Sequence, residues 1–269
     1  MKKSLFILFF ILVYSNFSFG QMQNNTLNIG VIENINSIEL GENRTLNIYL
    51  PEGYDSNAKE EYPVIYLLDG SMNEDFIHIV GVVQFLTMIE KMPKSIVVGI
   101  ANVDRRRDFT FPTTIEKDKK DYPTTGSSAK FMNFIEKEVQ PFIQKNYKIT
   151  TSKTIIGQSL GGLFATEVLL KKPTLFNHYI IISPSLWWNN ESLLAEAPKL
   201  LEQPINTKTK VYIAVGTEGK QMENDAKKLA EVLTTNKKLK TTFEPLPKED
   251  HLTILHNSVY KALENLNAK

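Results

Sequence analysis

The stretch Thr154-Ile155-Ile156-Gly157-Gln158-Ser159-Leu160-Gly161-Gly162-Leu163-Phe164 decides the fold of this chain. Its β-branched start predicts a strand and its end predicts a helix, so Ser159 lies on a sharp turn between them. Glycines two residues before and two residues after Ser159 keep side chains out of the place where strand and helix close up. The turn predicts an exposed nucleophilic hydroxyl, with the Leu160 amide as a donor to an oxyanion. A glycine-rich helix entry with a passive serine is the alternative.

Outward from this turn, strand-like runs alternate with helical stretches. The strand-like runs are Pro63–Leu68, Ser95–Ile100, Thr154–Ile156, Tyr179–Ile182, Val211–Val215 and Thr241–Glu244, and the helical stretches fall near 74–91, 128–146, 160–171, 219–235 and 254–266. This βαβ alternation requires a parallel sheet. Residues 27–50 alternate apolar and polar side chains instead, which predicts an antiparallel edge hairpin. The expected class is α/β, with a mostly parallel sheet, an antiparallel N-terminal edge and helices on both faces.

Two long segments, 102–128 and 183–203, interrupt the alternation after predicted strands. Ligands in open parallel sheets bind beyond the carboxyl ends of the strands. We therefore expect these two segments to build the lid and the walls of a binding pocket.

Composition narrows the possible partners. The 269 residues carry 31 Lys and Arg against 30 Asp and Glu, a net charge of +1 that predicts no nucleic-acid partner. The chain has no cysteine, which excludes disulfides, lipoprotein attachment and a cysteine nucleophile. No metal-binding or nucleotide-binding motif is present, so no cofactor is implied.

The first twenty residues have the pattern of a signal peptide. Two lysines precede the apolar run Leu5–Tyr14, and small residues at Ser18 and Gly20 suit cleavage after Gly20. Residues 1–20 are therefore predicted to be a leader and residues 21–269 a single domain, exported to the periplasm or secreted. An uncleaved N-terminal anchor is the alternative, and no membrane-spanning segment is expected after cleavage.

A serine hydroxyl needs a base, and on a turn of this kind the base follows the serine in the chain. His251 lies in a polar loop between the last strand-like run and the last helix, which is the expected place for it. His178 opens a strand and is predicted to be structural. His256 is predicted to pack in the first turn of the last helix, and His78 to be a core or pocket-wall residue.

The acid that orients the base is expected between serine and histidine, just after a strand. Glu218 meets both conditions, although it could be a loop carboxylate without a catalytic role. Glu223 and Asp225 are predicted to lie inside the following helix. A second oxyanion donor is expected after the first buried parallel strand, at the backbone amide of Ser71 or a neighbour.

Several of these strings resemble one family. Tyr66-Leu67-Leu68-Asp69-Gly70, Arg107-Asp108-Phe109-Thr110, the Ser159 turn, Ser183-Pro184-Ser185-Leu186-Trp187-Trp188 and Glu249-Asp250-His251 are similar to the "putative esterase" branch of the α/β-hydrolases. That branch includes siderophore trilactone esterases, relatives of S-formylglutathione hydrolase, feruloyl esterases and mycolyltransferases. The resemblance implies an α/β-hydrolase fold, with Ser159 as nucleophile, His251 as base, and Leu160 and the Ser71 region as oxyanion hole. Phe111 departs from the family pattern, which has proline after Thr110.

Three further residues are candidates for substrate binding. Arg107, with its neighbours Arg105 and Arg106, could attract an anionic substrate such as a ferric catecholate, or could pair with Asp104 and Asp108 in an exposed loop. Trp187 and Trp188 could line an aryl or sugar pocket, or could pack under a lid. We therefore expect a serine carboxylic ester hydrolase acting through an acyl-enzyme on siderophore esters. Acetyl or feruloyl esters linked to polysaccharide, and a non-catalytic binding role on the same fold, are the alternatives.

Overall fold

One eight-stranded sheet organises the residues that the computed structural model describes, which are 27–203, 205 and 208–268. The predicted signal peptide, residues 1–20, lies outside this range. The strands are β1 Val31–Ser37, β2 Glu42–Tyr49, β3 Tyr62–Leu67, β4 Ile96–Ile100, β5 Ile149–Gln158, β6 His178–Ile182, β7 Thr209–Val215 and β8 Leu239–Pro245. Their order across the sheet is β1-β2-β4-β3-β5-β6-β7-β8.

The sheet confirms the predicted mixture of strand directions. β1 pairs with β2, and β2 with β4, in antiparallel fashion, whereas every pairing from β4 to β8 is parallel. β5 occupies the middle of the sheet between β3 and β6. The serine turn at the end of β5 therefore has a strand on each side.

Helices cover both faces of the sheet, as the sequence predicted. They are α1 Phe76–Met88, α2 Arg105–Phe109, α3 Glu116–Asp121, α4 Ser128–Phe134, α5 Gln140–Asn146, α6 Leu160–Lys171, α7 Trp188–Leu200, α8 Lys220–Thr234 and α9 Ile254–Asn267. Apolar side chains of α1 and α9 form one buried cluster with alternate strand residues such as Ile65 and Leu67. The intervening strand residues, including Val64 and Tyr66, face a second cluster that contains α6 and α8. Parallel strands buried on both faces explain the nearly continuous apolar runs.

Two regions differ from the prediction. The helix expected over residues 128–146 is divided by a π-helical turn, Ile135–Val139, immediately before Pro141 enters the first turn of α5. Proline lacks an N–H and its ring crowds the preceding turn, and the wider π turn accommodates both effects. The segment 102–128 contains the short helices α2 and α3, whose five and six residues are too few to show a helical period in sequence.

No helix within the described ranges combines the length and the hydrophobicity that a membrane span requires. Parallel strands β3 to β8 end at one edge of the sheet, and the connections that leave them there carry the candidate site residues.

Candidate active site

Ser159 occupies the turn between β5 and α6 with φ 59° and ψ −120°. This backbone conformation is unfavourable for a residue with a Cβ and is kept only where neighbouring structure imposes it. The Ser159 amide donates to the Ile182 carbonyl at 3.0 Å, and the Ser159 carbonyl accepts from the Ser185 amide at 3.0 Å. A Cβ at Gly157 would lie 2.4 Å from the Gly161 carbonyl oxygen, so glycine is required where the strand and helix meet.

His251 reaches the serine from the loop between β8 and α9. Its Nε2 lies 3.0 Å from the Ser159 hydroxyl, within hydrogen-bond distance. The Gln158 side chain donates to the His251 carbonyl at 2.5 Å, which ties this loop to the serine turn. Asp250 accepts from the amides of Leu252 and Thr253, and these bonds shape the loop as it enters α9.

Glu218, in the loop between β7 and α8, contacts the other side of the imidazole. Its carboxylate lies 2.5 Å from His251 Nδ1, and its side chain is only 3% exposed against 41% for the imidazole. Ser183 and the Gly216 amide also donate to this carboxylate. Burial raises the pKa of Glu218, but hydrogen bonds from His251, Ser183 and Gly216 outweigh it and hold that pKa below its ordinary value. The structure thus presents an ionised acceptor to the imidazole.

The other candidate acids lie elsewhere. Glu223 accepts from the amides of Glu218 and Gly219, both at 3.1 Å, and so caps the start of α8. Asp225 is buried within α8, where burial and the nearby Glu191 raise its pKa to about 6. Neither residue substitutes for Glu218 at the imidazole.

The remaining histidines are also away from the serine. His178 begins β6 at the opposite edge of the sheet, in agreement with the predicted structural role. His78 on α1 stacks on His256 of α9 with ring centroids 4.3 Å apart, and His256 Nε2 lies 3.2 Å from Asp75. This pair joins two helices on one face of the sheet.

The two amides predicted as oxyanion donors differ in whether they already have a hydrogen-bond acceptor. Leu160 is the first residue of α6, so its amide belongs to the helix-terminal donors that lack an intrahelical acceptor. The Ser71 amide instead donates to the Glu74 carboxylate at 3.2 Å. Glu74 also accepts from the Asn102 side chain, at 3.0 Å and 3.2 Å. The second donor is therefore occupied by an anionic side chain of the same turn.

A cavity of about 530 Å³ opens over the serine. The residues that line it are Tyr122, Ser159, Ser185, Trp187, Thr217, Glu218, Met222, Asp250, His251 and Leu252. Tyr122 comes from the 102–128 segment and Trp187 from the 183–203 segment, and their ring centroids are 5.9 Å apart. Both interrupting segments therefore contribute walls to the pocket, as predicted.

Two of the predicted substrate-binding residues do not line this cavity. Trp188 is completely buried, and its indole N–H donates to the Phe111 carbonyl at 2.8 Å, so it packs beneath the wall that Trp187 forms. Arg107 donates to Glu42 at 2.6 Å and 3.1 Å and to Asp108 at 2.8 Å. The guanidinium is therefore held by two carboxylates, one of them the Asp108 named in the alternative prediction, and it does not line the cavity.

The roles of several polar residues around the serine were not predicted from the sequence. Ser183 supports Glu218, and the Ser185 hydroxyl lies 3.3 Å from that of Ser159. Gln158 anchors the base loop, and the Arg105 side chain contacts the serine turn. Ser183 and Ser185 belong to the family-like stretch Ser183–Trp188, but their roles depend on contacts with residues distant in the chain. Among the described residues, no group of three His, Asp or Glu side chains is arranged to hold a metal ion.

A serine on a strand–helix turn, contacted by an imidazole that contacts a carboxylate, lies at the carboxyl edge of a mostly parallel sheet. This combination of fold and site defines an α/β-hydrolase. The model of the "Putative esterase" family matches residues 37–257. The chain belongs to this family and is an esterase.

Individual relatives agree with the family assignment. The chain is 33% identical to the ferri-bacillibactin esterase BesA of Bacillus subtilis over 82% of its own length and 84% of the relative. An IroE-like serine hydrolase from Shewanella oneidensis superposes with a TM-score of 0.81 at 30% identity, over 88% of this chain and 79% of that one. The BES protein from Bacillus cereus gives a TM-score of 0.79 at 30% identity, over 90% and 97% of the two chains.

Proposed function

We propose that this chain is an exported serine carboxylic ester hydrolase that cleaves siderophore esters through an acyl-enzyme. The triad Ser159–His251–Glu218 carries the reaction. The observation behind this proposal is the continuous contact from the serine hydroxyl to His251 at 3.0 Å and from His251 to Glu218 at 2.5 Å.

In the first half-reaction, His251 Nε2 takes the proton of the Ser159 hydroxyl as its oxygen attacks the ester carbonyl. Glu218 accepts a hydrogen bond from Nδ1–H, which fixes the tautomer and stabilises the imidazolium. Because its pKa is held below the ordinary value, the Glu218 carboxylate serves as a hydrogen-bond acceptor in this step. The Leu160 amide stabilises the tetrahedral oxyanion, and His251 then protonates the departing alcohol.

In the second half-reaction, water replaces the alcohol. His251 removes a proton from this water, which attacks the acyl-enzyme carbonyl. As the intermediate collapses to the carboxylic acid, the bond to the serine oxygen breaks and His251 returns the proton to form the Ser159 hydroxyl. The imidazole side chain is 41% exposed, so the base is accessible to water.

Two features support siderophore esters as substrates. The ferri-bacillibactin esterase shares most of its length with this chain. Tyr122 and Trp187 form an aromatic wall beside the serine, which suits an ester that carries aryl groups. The same wall also suits a feruloyl ester, so feruloyl esters linked to polysaccharide remain the second candidate. Export rests on the pattern of residues 1–20 alone.

The test of the triad uses a chromogenic acetate ester and a fluorophosphonate probe. Ser159→Ala is expected to lower kcat by roughly 10⁴-fold or more and to abolish labelling. His251→Ala should lose a similar factor, and Glu218→Gln should lose less. Near-normal turnover by Ser159→Ala would contradict the assignment, and parental activity in Glu218→Gln would point to a serine–histidine dyad.

The substrate is tested separately with purified enzyme. Initial rates on a trilactone siderophore, in its metal-free and ferric forms, are compared with rates on a feruloylated oligosaccharide and an acetylated one. The siderophore proposal predicts the highest kcat/KM for a trilactone. A higher value for the feruloylated substrate would favour the second candidate and leave the triad unaffected.

A further inference from the structure

Arg105 connects two segments that are distant in sequence and adjacent at the site. Its guanidinium donates to both oxygens of the Asp69 carboxylate, from Nε at 2.6 Å and from Nη2 at 2.9 Å. Nη2 also donates to the backbone carbonyl of Gln158 at 3.1 Å. The same group lies 5.4 Å from the centroid of the Phe109 ring. One side chain therefore joins the turn after β3 to the turn after β5.

These two turns carry the two amides predicted as oxyanion donors, of which the Ser71 amide is bonded to Glu74 at rest. The Ser71 amide comes two residues after Asp69, and the Leu160 amide comes two residues after Gln158. We propose that Arg105 is a positioning residue that holds the two halves of the oxyanion hole at their working separation. This inference rests on the proposed function, because it assumes that Ser159 generates an oxyanion.

The geometry at Asp69 supports a positioning role. Asp69 has φ 53°, in the left-handed region, which is uncommon for residues with a side chain although aspartate adopts it more readily than most, and contacts to its carboxylate give this conformation support. That support comes from Arg105 and from the Asn102 side chain, which donates to Asp69 at 2.7 Å. A planar guanidinium fits a carboxylate through two parallel hydrogen bonds, which a lysine ammonium cannot reproduce.

Arg105 also acts through its charge, because it neutralises the Asp69 carboxylate beside the serine turn. The Asp69 carboxylate oxygen lies 3.4 Å from the position that a Cβ on Gly161 would take, so an anion borders the serine turn. An unpaired carboxylate there would oppose the negative charge that develops on the substrate oxygen. The guanidinium neutralises it, and the field at the oxyanion hole then favours the transition state.

Arg107 provides a matched comparison on the same short helix. It too makes a two-pronged contact with a carboxylate, that of Glu42, and its side chain is 27% exposed against 33% for Arg105. Its partners lie away from the serine and it does not line the cavity. The two arginines thus differ mainly in whether their contacts reach the oxyanion hole.

The experiment compares Arg105→Ala, Arg105→Lys and Arg107→Ala by steady-state kinetics on a neutral acetate ester, by the rate of fluorophosphonate labelling and by thermal denaturation. For Arg105→Ala we expect kcat and the labelling rate to fall by about 10- to 100-fold with little change in KM. Arg105→Lys should recover only a small part of the lost kcat and labelling rate. Arg107→Ala should keep the parental kcat and labelling rate even where its Tm falls.

Three results would overturn the proposal. The first is an equal loss of kcat and labelling rate in Arg105→Ala and Arg107→Ala. The second is a raised KM with unchanged kcat in Arg105→Ala, and the third is full activity in Arg105→Lys. Asp69→Asn provides a further check, since its losses should not add to those of Arg105→Ala if the two side chains act as one unit. Failure of the proposed function would appear independently, as labelling that persists in Ser159→Ala.

Discussion

At the scale of single residues, two acceptors compete for the Ser71 amide: the Glu74 carboxylate at rest and the substrate oxyanion during the reaction. The turn Ser71-Met72-Asn73-Glu74 has the spacing of a capping box, in which a glutamate side chain returns to the amide three residues earlier. The Glu74 carboxylate takes that hydrogen bond at rest. An oxyanion would need the same N–H, and a second negative charge beside it would be repelled.

Replacement of Glu74 should therefore accelerate catalysis. For Glu74→Ala we expect kcat/KM and the fluorophosphonate labelling rate to rise by about 2- to 10-fold, the equivalent of one net hydrogen bond of about 0.5–1.5 kcal/mol. Asp75→Asn is the control, because it removes a neighbouring charge that contacts His256 and leaves the Ser71 amide unchanged. A slower Glu74→Ala enzyme would instead mean that Glu74 supports the turn.

At the scale of elements, the two segments that interrupt the βαβ pattern are joined by polar contacts. Asn189, Asn190 and Glu191 near the start of α7 all have positive φ, between 50° and 58°. This left-handed turn brings the Asn189 amide to Asp118 at 3.1 Å, and the Asn189 side chain accepts from the Thr114 amide at 2.9 Å. Trp187 is thereby held against Tyr122 in the cavity wall, while Trp188 is directed into the core.

The two tryptophans should respond differently to substitution. Trp187→Ala is expected to lower kcat/KM for an aryl ester by about 2- to 10-fold relative to an acetate ester, since an aromatic contact contributes about 0.5–1.5 kcal/mol. Trp188→Ala should instead destabilise the fold by about 3–5 kcal/mol, because its side chain is completely buried. Paired kinetics and urea denaturation measure both effects. An unchanged ester preference in Trp187→Ala would remove the aromatic wall from substrate recognition.

At the scale of the whole molecule, half-buried titratable groups far from the serine link stability to pH. Burial, followed by the charge of Lys210, lowers the pKa of His178 below 6.5. Burial, followed by the charge of His256, likewise lowers the pKa of His78. The unfolded chain therefore binds protons at a higher pH than the folded chain at both sites. Their contribution to stability is complete above pH 6.5 and is lost as pH falls through the lowered pKa values.

Asp225 acts in the opposite direction. Its pKa is raised from 3.8 to about 6, first by burial and then by Glu191, so the folded chain takes up this proton before the unfolded chain does. Acidification from pH 6 towards 4 relieves the cost of the buried charge.

Thermal denaturation measured between pH 4 and pH 8 should separate the contribution of the two histidines from that of Asp225. The Tm of the parent is expected to fall below pH 6.5, less steeply in the double variant His78→Asn, His178→Asn and more steeply in Asp225→Asn. Asp225→Asn should also be more stable than the parent at pH 8, by a few °C, since roughly 1 kcal/mol corresponds to 2–4 °C in a domain of this size. Parallel Tm curves for all three proteins would contradict the linkage.

Local pattern was sufficient for much of the architecture and for the triad candidates. Buried parallel strands produce apolar runs, and the chain order of strand, serine and helix fixes which loops can hold a base and an acid. Ser159, Glu218 and His251 could be predicted because each follows a strand that ends at the same edge. The division of the helix over 128–146 could not be predicted, because it depends on how the chain accommodates Pro141 within packed neighbours.

The sequence by itself determined the sheet, the serine turn and the loops that reach it, because these follow from hydrophobic period and glycine placement. Only the tertiary structure decided what the polar side chains contact. It placed Arg107 with Glu42, Arg105 with Asp69, and Glu74 on the Ser71 amide. Hydrogen bonds and ion pairs depend on distances of a few ångströms between residues far apart in the chain. A linear pattern carries no such distances, so the serine turn was predictable while the arginine beside it was not.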